Sequence, residues 1–275
     1  MILDSRPTLT RAEARTVYDS FAVKGHAGGR DVTSGYGGPA VQALLAMAAF
    51  SDARSVVDYG CGQGKLAELV LSSHPELWWR GVDQSPMMVE KATARLARFG
   101  PRCSVELLAG GDPAALAVPG DGEADRFVST YCLDLMSETD MLATLDKAAA
   151  CLHPERGLLL LAGITWGYRM SLRTFFMTLV WELLYRFRRK VVGGCRPQHL
   201  APYLRAKGWR IVKEVHTHAG PQPATLASHT AAATVCTYAS FWLQPRVQVR
   251  TAPAGFPWMA SEVLAARPPL ASGRA

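Results

Sequence analysis

Residues 55 to 69, "SVVDYGCGQGKLAEL", set three glycines, Gly60, Gly62 and Gly64, at alternate positions directly after a short apolar run. A turn stripped of side chains at every second position must pass its backbone close to something, or adopt φ angles that other residues avoid. Phosphate, dinucleotide and nucleoside-sulfonium ligands all use such turns, so the spacing has to discriminate. A dinucleotide fingerprint needs G-x-G-x-x-G, its last glycine allowing close helix–strand packing. Here the third glycine comes one place early. A P-loop needs a longer stretch between its glycines and then Lys-Ser or Lys-Thr, which Lys65-Leu66 does not supply. Both common phosphate readings miss.

The surrounding chain supplies the architecture. Residues 10–24 read as a helix with a capping-box spacing, Thr10 to Glu13. The glycine-rich "GHAGGRDVTSGYGG" (25–38) reads as a loop, and a helix over 39–50 follows. "SVVDYG" is a buried strand, followed by a helix from near Lys65 to Ser73. "WWRGVD" (78–83) is a strand, and 85–99 a helix with Ser85 as N-cap and Pro86 at its first position. Strands at 103–110 and 124–133, a helix over 138–152 started by Ser137 and Asp140, and a strand at 157–164 continue the alternation. Such alternation predicts an α/β fold, a doubly wound and mostly parallel sheet covered on both faces. Ligands in these sheets sit beyond the carboxyl ends of the strands, at the switch point. After residue 165 come a densely apolar helix (170–190), a short helix at "HLAPYLRAKGW", and strands at "WRIVKEVHTH" and "TVCTYASFWLQP". The last two are expected as an antiparallel pair at the sheet edge, completing seven strands. Residues 251–275, rich in Pro and Ala, read as a loosely ordered tail.

Asp58-x-Gly60-x-Gly62-x-Gly64 resembles motif I of the class I S-adenosylmethionine-dependent methyltransferases: an apolar strand ending in an acid, then G-x-G-x-G. Three further elements follow in that family's order. "GVDQSPMMVEKA" places Asp83 at the end of the second strand, where the resemblance implies contact with both ribose hydroxyls, and D-x-S-P-x-M before a helix is typical of the family. "LLAGGDPAAL" carries the Gly111-Asp112 pair that would line the adenine pocket, although Asp112 reads equally as the cap of a Gly-Asp-Pro turn. "DRFVSTYCLDLMS" delivers Tyr131 and Asp134 to the switch-point crevice. The cofactor-binding set implied is Asp58, Gly60, Cys61, Gly62, Gly64, Asp83, Gln84, Met88, Gly111, Asp112 and Tyr131. Met87 and Met88 lie where the family packs adenine, or serve as core. "STYCLDLMSETDM", "CLHPERGLLLLAGIT" and "VVGGCRPQHLAPYLRAKGW" resemble the ubiquinone/menaquinone-biosynthesis branch (methyltransferase type 11/25), with Leu152–Gly157 departing from its usual L-x-P-G-G turn. The implied organisation is an N-terminal helical cap (1–50), a methyltransferase domain (51–250) with a helical lid at 166–195, and the tail.

Charge and cysteine usage bound the setting. The net charge of +7 is uneven: residues 166–250 hold 13 Lys/Arg against Glu182 and Glu214 alone, which points to an anionic partner or a solubilising face. No nucleic-acid-binding module accompanies it. The six cysteines include no CxxC pair and read as reduced thiols in a cytoplasmic setting. There is no secretory pattern at the N-terminus and no run long enough to span a membrane. His216 and His218 alternate on a strand and share a face, but without a placed third ligand they define no metal site.

Methyl transfer from a sulfonium is an in-line displacement of an activated group, so positioning and exclusion of water dominate. A base is needed only where the acceptor loses a proton during attack; the candidates are Tyr18, Tyr131, Asp134 and His199, each with a structural alternative. The 170–190 segment is apolar around too much of its circumference to face solvent, and its end, Arg186, Arg188, Arg189 and Lys190, suits anionic lipid head groups. It is either a lid over the acceptor or a peripheral membrane contact. The expected function is methylation of a small, largely apolar acceptor such as a quinol, phenol or lipid-like molecule. An N-methyltransferase of an amine metabolite, an inactive cofactor-binding scaffold and an NAD-dependent oxidoreductase are the rivals.

Overall fold

Apolar residues on both faces of every central strand force this sheet to be covered twice. The computed structural model describes residues 8–24, 32–117, 123–166, 172–218 and 260–269. Its strands are β1 (Ser55–Tyr59), β2 (Trp78–Asp83), β3 (Cys103–Leu107), β4 (Arg126–Thr130), β5 (Leu158–Thr165), β6 (Arg210–His218) and β7 (Ala260–Arg267). They form one seven-stranded sheet in the order β3-β2-β1-β4-β5-β7-β6. β1 to β5 run parallel, and β7 is antiparallel to both its neighbours. Alternate residues divide between two cores. Val57, Leu159, Leu161 and Leu264 pack on one side with α5 (Glu138–Cys151) and α7 (Ala201–Ala206). Val56, Leu160, Val263 and Ala265 pack on the other with α2 (Val32–Ala48), α3 (Lys65–Ser73) and α4 (Pro86–Leu96).

The helix starts follow local chemistry. Before α1 (Arg11–Lys24), the Thr10 N–H donates to the Glu13 carboxylate at 3.0 Å and the Glu13 N–H to Thr10 Oγ1 at 3.2 Å. Two orphan amides are thus satisfied reciprocally. Ser85 accepts from the Met88 N–H at 3.1 Å, and Ser137 accepts from the Asp140 N–H at 3.1 Å. Both hydroxyls do what an N-cap requires.

Three expectations need correction. First, the glycine-rich loop ends sooner than its composition implies, because α2 begins at Val32. Ala40, Leu44 and Ala48 recur every four residues on one buried stripe, and that tertiary contact outweighs the low helix propensity of the glycines. Second, the stretch taken as a tail contributes β7, whose Val263, Leu264 and Ala266 are fully buried between β5 and β6. Third, the reversed strand therefore lies one place in from the edge, and β6 is the edge strand. The strand expected at "TVCTYASFWLQP" and Cys236 lie outside the described residues. The other five cysteines are unpaired.

A central strand cannot be lost cheaply. Leu264→Ala should cost about 2–5 kcal/mol of stability in denaturant unfolding, the range for a large-to-small change in a packed core. A change within experimental error would mean that β7 is peripheral after all.

Candidate active site

Strand order reverses direction at β1, whose neighbours are β2 and β4, and the crevice at their carboxyl ends opens into a cavity of about 1280 Å³. The glycine turn forms its floor. The Gly60 and Cys61 N–H groups both donate to the Val82 carbonyl, at 2.8 and 3.0 Å, which fastens the turn to the end of β2. The three glycines are bare for different reasons. A Cβ on Gly60 would lie 2.5 Å from Cys132 Sγ, and one on Gly64 would lie 2.8 Å from Leu96 Cδ1. A Cβ on Gly62 (φ +53) would meet nothing within 4 Å, since it points into the cavity. Protein packing accounts for the first and third. The middle one is favoured by its positive φ and leaves its side of the turn open to the cavity.

Asp83 completes this floor. Its Oδ2 accepts from the Gly62 N–H at 2.9 Å and its Oδ1 from the Ser85 N–H at 2.9 Å. Burial pushes its pKa up while those amides pull it down. Each oxygen keeps a lone pair for a further donor, such as a hydroxyl reaching in from the cavity. Gln84, Met88, Gly111, Cys61 and Tyr131 also line the cavity. A Cβ on Gly111 would meet Gln84 Oε1 at 2.1 Å, the movable end of a long side chain, and it is the φ of +65 that favours glycine there. Tyr131 sits at φ +53, an unusual conformation for a tyrosine, which turns the chain at the end of β4. Its hydroxyl lies 3.1 Å from Ser261 Oγ.

Asp58 is 1% exposed with neither carboxylate oxygen hydrogen-bonded. Desolvation pushes its pKa up to about 7, and the neighbouring Trp79 indole opposes the shift. The folded protein therefore holds a proton there that the unfolded chain releases near pH 4. This contribution stabilises the fold at low pH and is lost as pH rises to 7.

Other expected site residues are placed differently. Asp112 accepts from the Ala114 N–H at 3.0 Å and pairs with Arg11 at 3.3 Å. It is a turn cap and an anchor for α1, and does not line the cavity. Asp134 is completely buried below the floor, where its Oδ2 accepts from the Ile164 N–H at 3.1 Å; burial raises its pKa to about 6. His199 is exposed, with Nδ1 3.1 Å from Thr165 Oγ1, away from the cavity. Neither lines the cavity. Tyr18 does line the cavity, its hydroxyl 3.6 Å from Cys195 Sγ, and burial pushes its pKa well up. Arg11 and Asp19 carried no local motif and escaped the sequence reading. Arg11 grips Asp140 through two contacts, 2.6 and 3.3 Å, and the Ser85 hydroxyl donates to Asp19 at 2.5 Å. Both hold α1 over the floor.

Asp58→Asn removes the titrating carboxyl group. The variant should gain stability relative to the wild type between pH 5 and 8, by up to a few kcal/mol. Urea unfolding at both pH values measures it; a difference between the two proteins that does not change with pH would put the Asp58 pKa at its ordinary value.

Comparison with known proteins agrees with this geometry. Residues 56–155 match a family model described as a methyltransferase domain. A stretch of 59 residues is 49% identical to the ribosomal RNA small subunit methyltransferase H of Beutenbergia cavernae, covering 22% of this chain and 18% of that one. Among solved structures, the mitomycin 7-O-methyltransferase MmcR superposes with a TM-score of 0.53 at 20% identity, over 91% of this chain and 60% of that one. The Burkholderia thailandensis 1,6-didemethyltoxoflavin-N1-methyltransferase, solved with S-adenosylhomocysteine, gives 0.57 at 17% identity, over 97% and 93%. The chain thus spans less than two thirds of the length of the first two relatives, and the two structural likenesses concern the fold. With the glycine turn, the acid at the end of β2 and the family match all falling on the same hundred residues, residues 56–155 of the chain are a methyltransferase domain.

Proposed function

We propose that this protein transfers a methyl group from S-adenosylmethionine to a small, largely apolar acceptor, a quinol, phenol or lipid-like molecule. The observation that carries this reading is one continuous cavity of about 1280 Å³ running from the glycine turn to the underside of α1 and α6 (Leu172–Arg188). A single ligand occupies roughly 300–1,000 Å³, so this volume suits a donor and an acceptor side by side. Gly62 and Asp83 would hold the donor, which supplies an activated methyl group when bound. Beyond the turn the wall is apolar, with Phe21, Leu135, Ile164, Trp181, Leu184 and Val192 among its residues. An amine acceptor is less well served, because Asp140 is already paired with Arg11.

Within that cavity the protein acts by positioning and by excluding water. The Tyr18 and Tyr131 phenols keep their protons at neutral pH because burial raises both, so they donate hydrogen bonds or orient an acceptor and do not act as bases. The N-terminal segment works as a cap and α6 as a lid. The cap is latched by Arg11 and Asp19, and the lid by Trp181, whose indole N–H donates to the Cys195 carbonyl at 3.0 Å.

The reading is tested by calorimetry and by a radiolabelled methyl-transfer screen over quinols, phenols and amines. Asp83→Ala should weaken S-adenosylmethionine binding by about 1–3 kcal/mol, through loss of hydroxyl contacts. Gly62→Ala should weaken it comparably while leaving the fold intact. Unchanged affinity in both variants would remove the turn from the donor site. Donor binding without transfer to any acceptor class would favour the inactive scaffold.

One further feature concerns the outer face of α6. Phe176 is 59% exposed and Phe187 72%, while no helix among the described residues is long and apolar enough to cross a membrane. Large apolar groups beside Arg186, Arg188, Arg189 and Lys190 favour peripheral contact with an anionic bilayer surface. Changing Arg188, Arg189 and Lys190 to Gln should lower co-sedimentation with phosphatidylserine vesicles several-fold. Equal sedimentation of variant and wild type would leave α6 as a lid alone.

A further inference from the structure

Pairing β7 with β6 brings Glu262 up to two groups of β6, Glu214 and His216, that lie far from it in sequence. Glu262 stands directly opposite His216 in the antiparallel register, and Glu214 shares a strand face with His216. One possible ligand atom from each of the three lies within 4.8 Å of the other two. His216 Nε2 is 3.0 Å from Glu214 Oε1. Glu262 is the telling member. It is 1% exposed; its Oε2 accepts from the Leu200 N–H at 2.7 Å, while its Oε1 has no hydrogen-bond partner. A buried carboxylate with an orphan oxygen is costly unless it is protonated or a cation stands beside it. Arg205 pairs with Glu214 at 3.6 Å and is largely exposed, and it acts on Glu262 only as a minor, longer-range attraction.

We propose that Glu214, His216 and Glu262 form a binding site for one divalent transition-metal ion, of the Zn²⁺ class. One imidazole and two carboxylates suit Zn²⁺, Co²⁺ or Mn²⁺ better than Mg²⁺, which prefers oxygen ligands and retains its waters. The remaining positions would be filled by water. This site is separate from the donor cavity, which none of the three residues lines. Ser261 faces Tyr131 on the cavity side, and Glu262, the next residue of the strand, projects from the opposite face. The ion acts as a staple. β6 is the sheet edge, its register with β7 slips between Ile211 and Lys213, and residues 219–259 separate the two strands in sequence. A cross-strand ion offsets the entropy of closing that long connection.

The test uses the full chain without an affinity tag, stripped with a chelator and then titrated with Co²⁺, Zn²⁺ or Mg²⁺. The wild type should bind one equivalent of Co²⁺ with visible absorption bands, and Zn²⁺ should raise its unfolding midpoint where equimolar Mg²⁺ does not. His216→Ala and Glu262→Gln should bind at least about tenfold more weakly and lose the Zn²⁺-dependent rise. Near-ultraviolet circular dichroism confirms that each variant is folded; His216→Ala alters a partly exposed side chain and keeps the test valid should Glu262→Gln fail to fold. A wild type that takes up no ion overturns the proposal, as does equal binding by wild type and His216→Ala.

Discussion

One half-buried carboxylate holds the glycine turn of this protein in shape. Asp83 accepts from the Gly62 amide with one oxygen and from the Ser85 amide with the other, so a single side chain fixes both the glycine turn and the start of α4. With the Gly60 and Cys61 amides committed to the Val82 carbonyl, the turn cannot move independently of β2. The open face of Gly62 toward the cavity follows from that fixation. Burial raises the Asp83 pKa even in the presence of two amide donors, so further donors from a ligand would find a carboxylate that gains from them.

The roof is built on different terms. Arg11 reaches Asp140 and Asp112 from a position where it is 40% exposed, and surface pairs of this kind contribute only about 0–1 kcal/mol each. The Asp19–Ser85 contact adds a hydrogen bond at the base of α4, and the Lys91 ammonium donates to the Ala22 carbonyl. A rigid floor under a roof held by several weak latches would suit the proposed function, in which the cavity admits and releases an acceptor. It also explains why Asp112, expected beside an adenine ring, is engaged with the cap.

The fold narrows the chemistry less than the site does, since this architecture serves many reactions. What bears on the acceptor is the contrast within one cavity, polar at the turn and apolar beneath α1 and α6. The inner stripe of α6, with Thr178, Trp181 and Tyr185, packs inward, while Phe175, Phe176, Leu183 and Phe187 remain on its outer face. A helix apolar on both sides has two surfaces to cover, and the protein core covers one of them.

Legibility in the sequence followed the range of the interaction concerned. The capping boxes, the edges of β1, β2 and α3, the glycine turn and the acid at the end of β2 were readable because each is set by neighbours within a few residues: a hydroxyl that reaches an amide three positions on, a φ that only glycine adopts easily, an alternation of apolar side chains. The start of α2, the burial of Asp134, the exposure of His199 and the pairing of Asp112 with Arg11 were not, since each depends on a partner distant in sequence. β7 is the clearest case. "ASEVLAAR" is short and follows a proline-rich stretch, so nothing local marks it as a central strand; only the gap between β5 and β6 does. The amino-acid sequence by itself therefore determined the parallel half of the sheet and its cofactor turn, where local chemistry is decisive. Tertiary structure alone decided the seventh strand, the latches of the cap and the meeting of Glu262 with His216, because burial and strand pairing act between segments that carry no mark of one another.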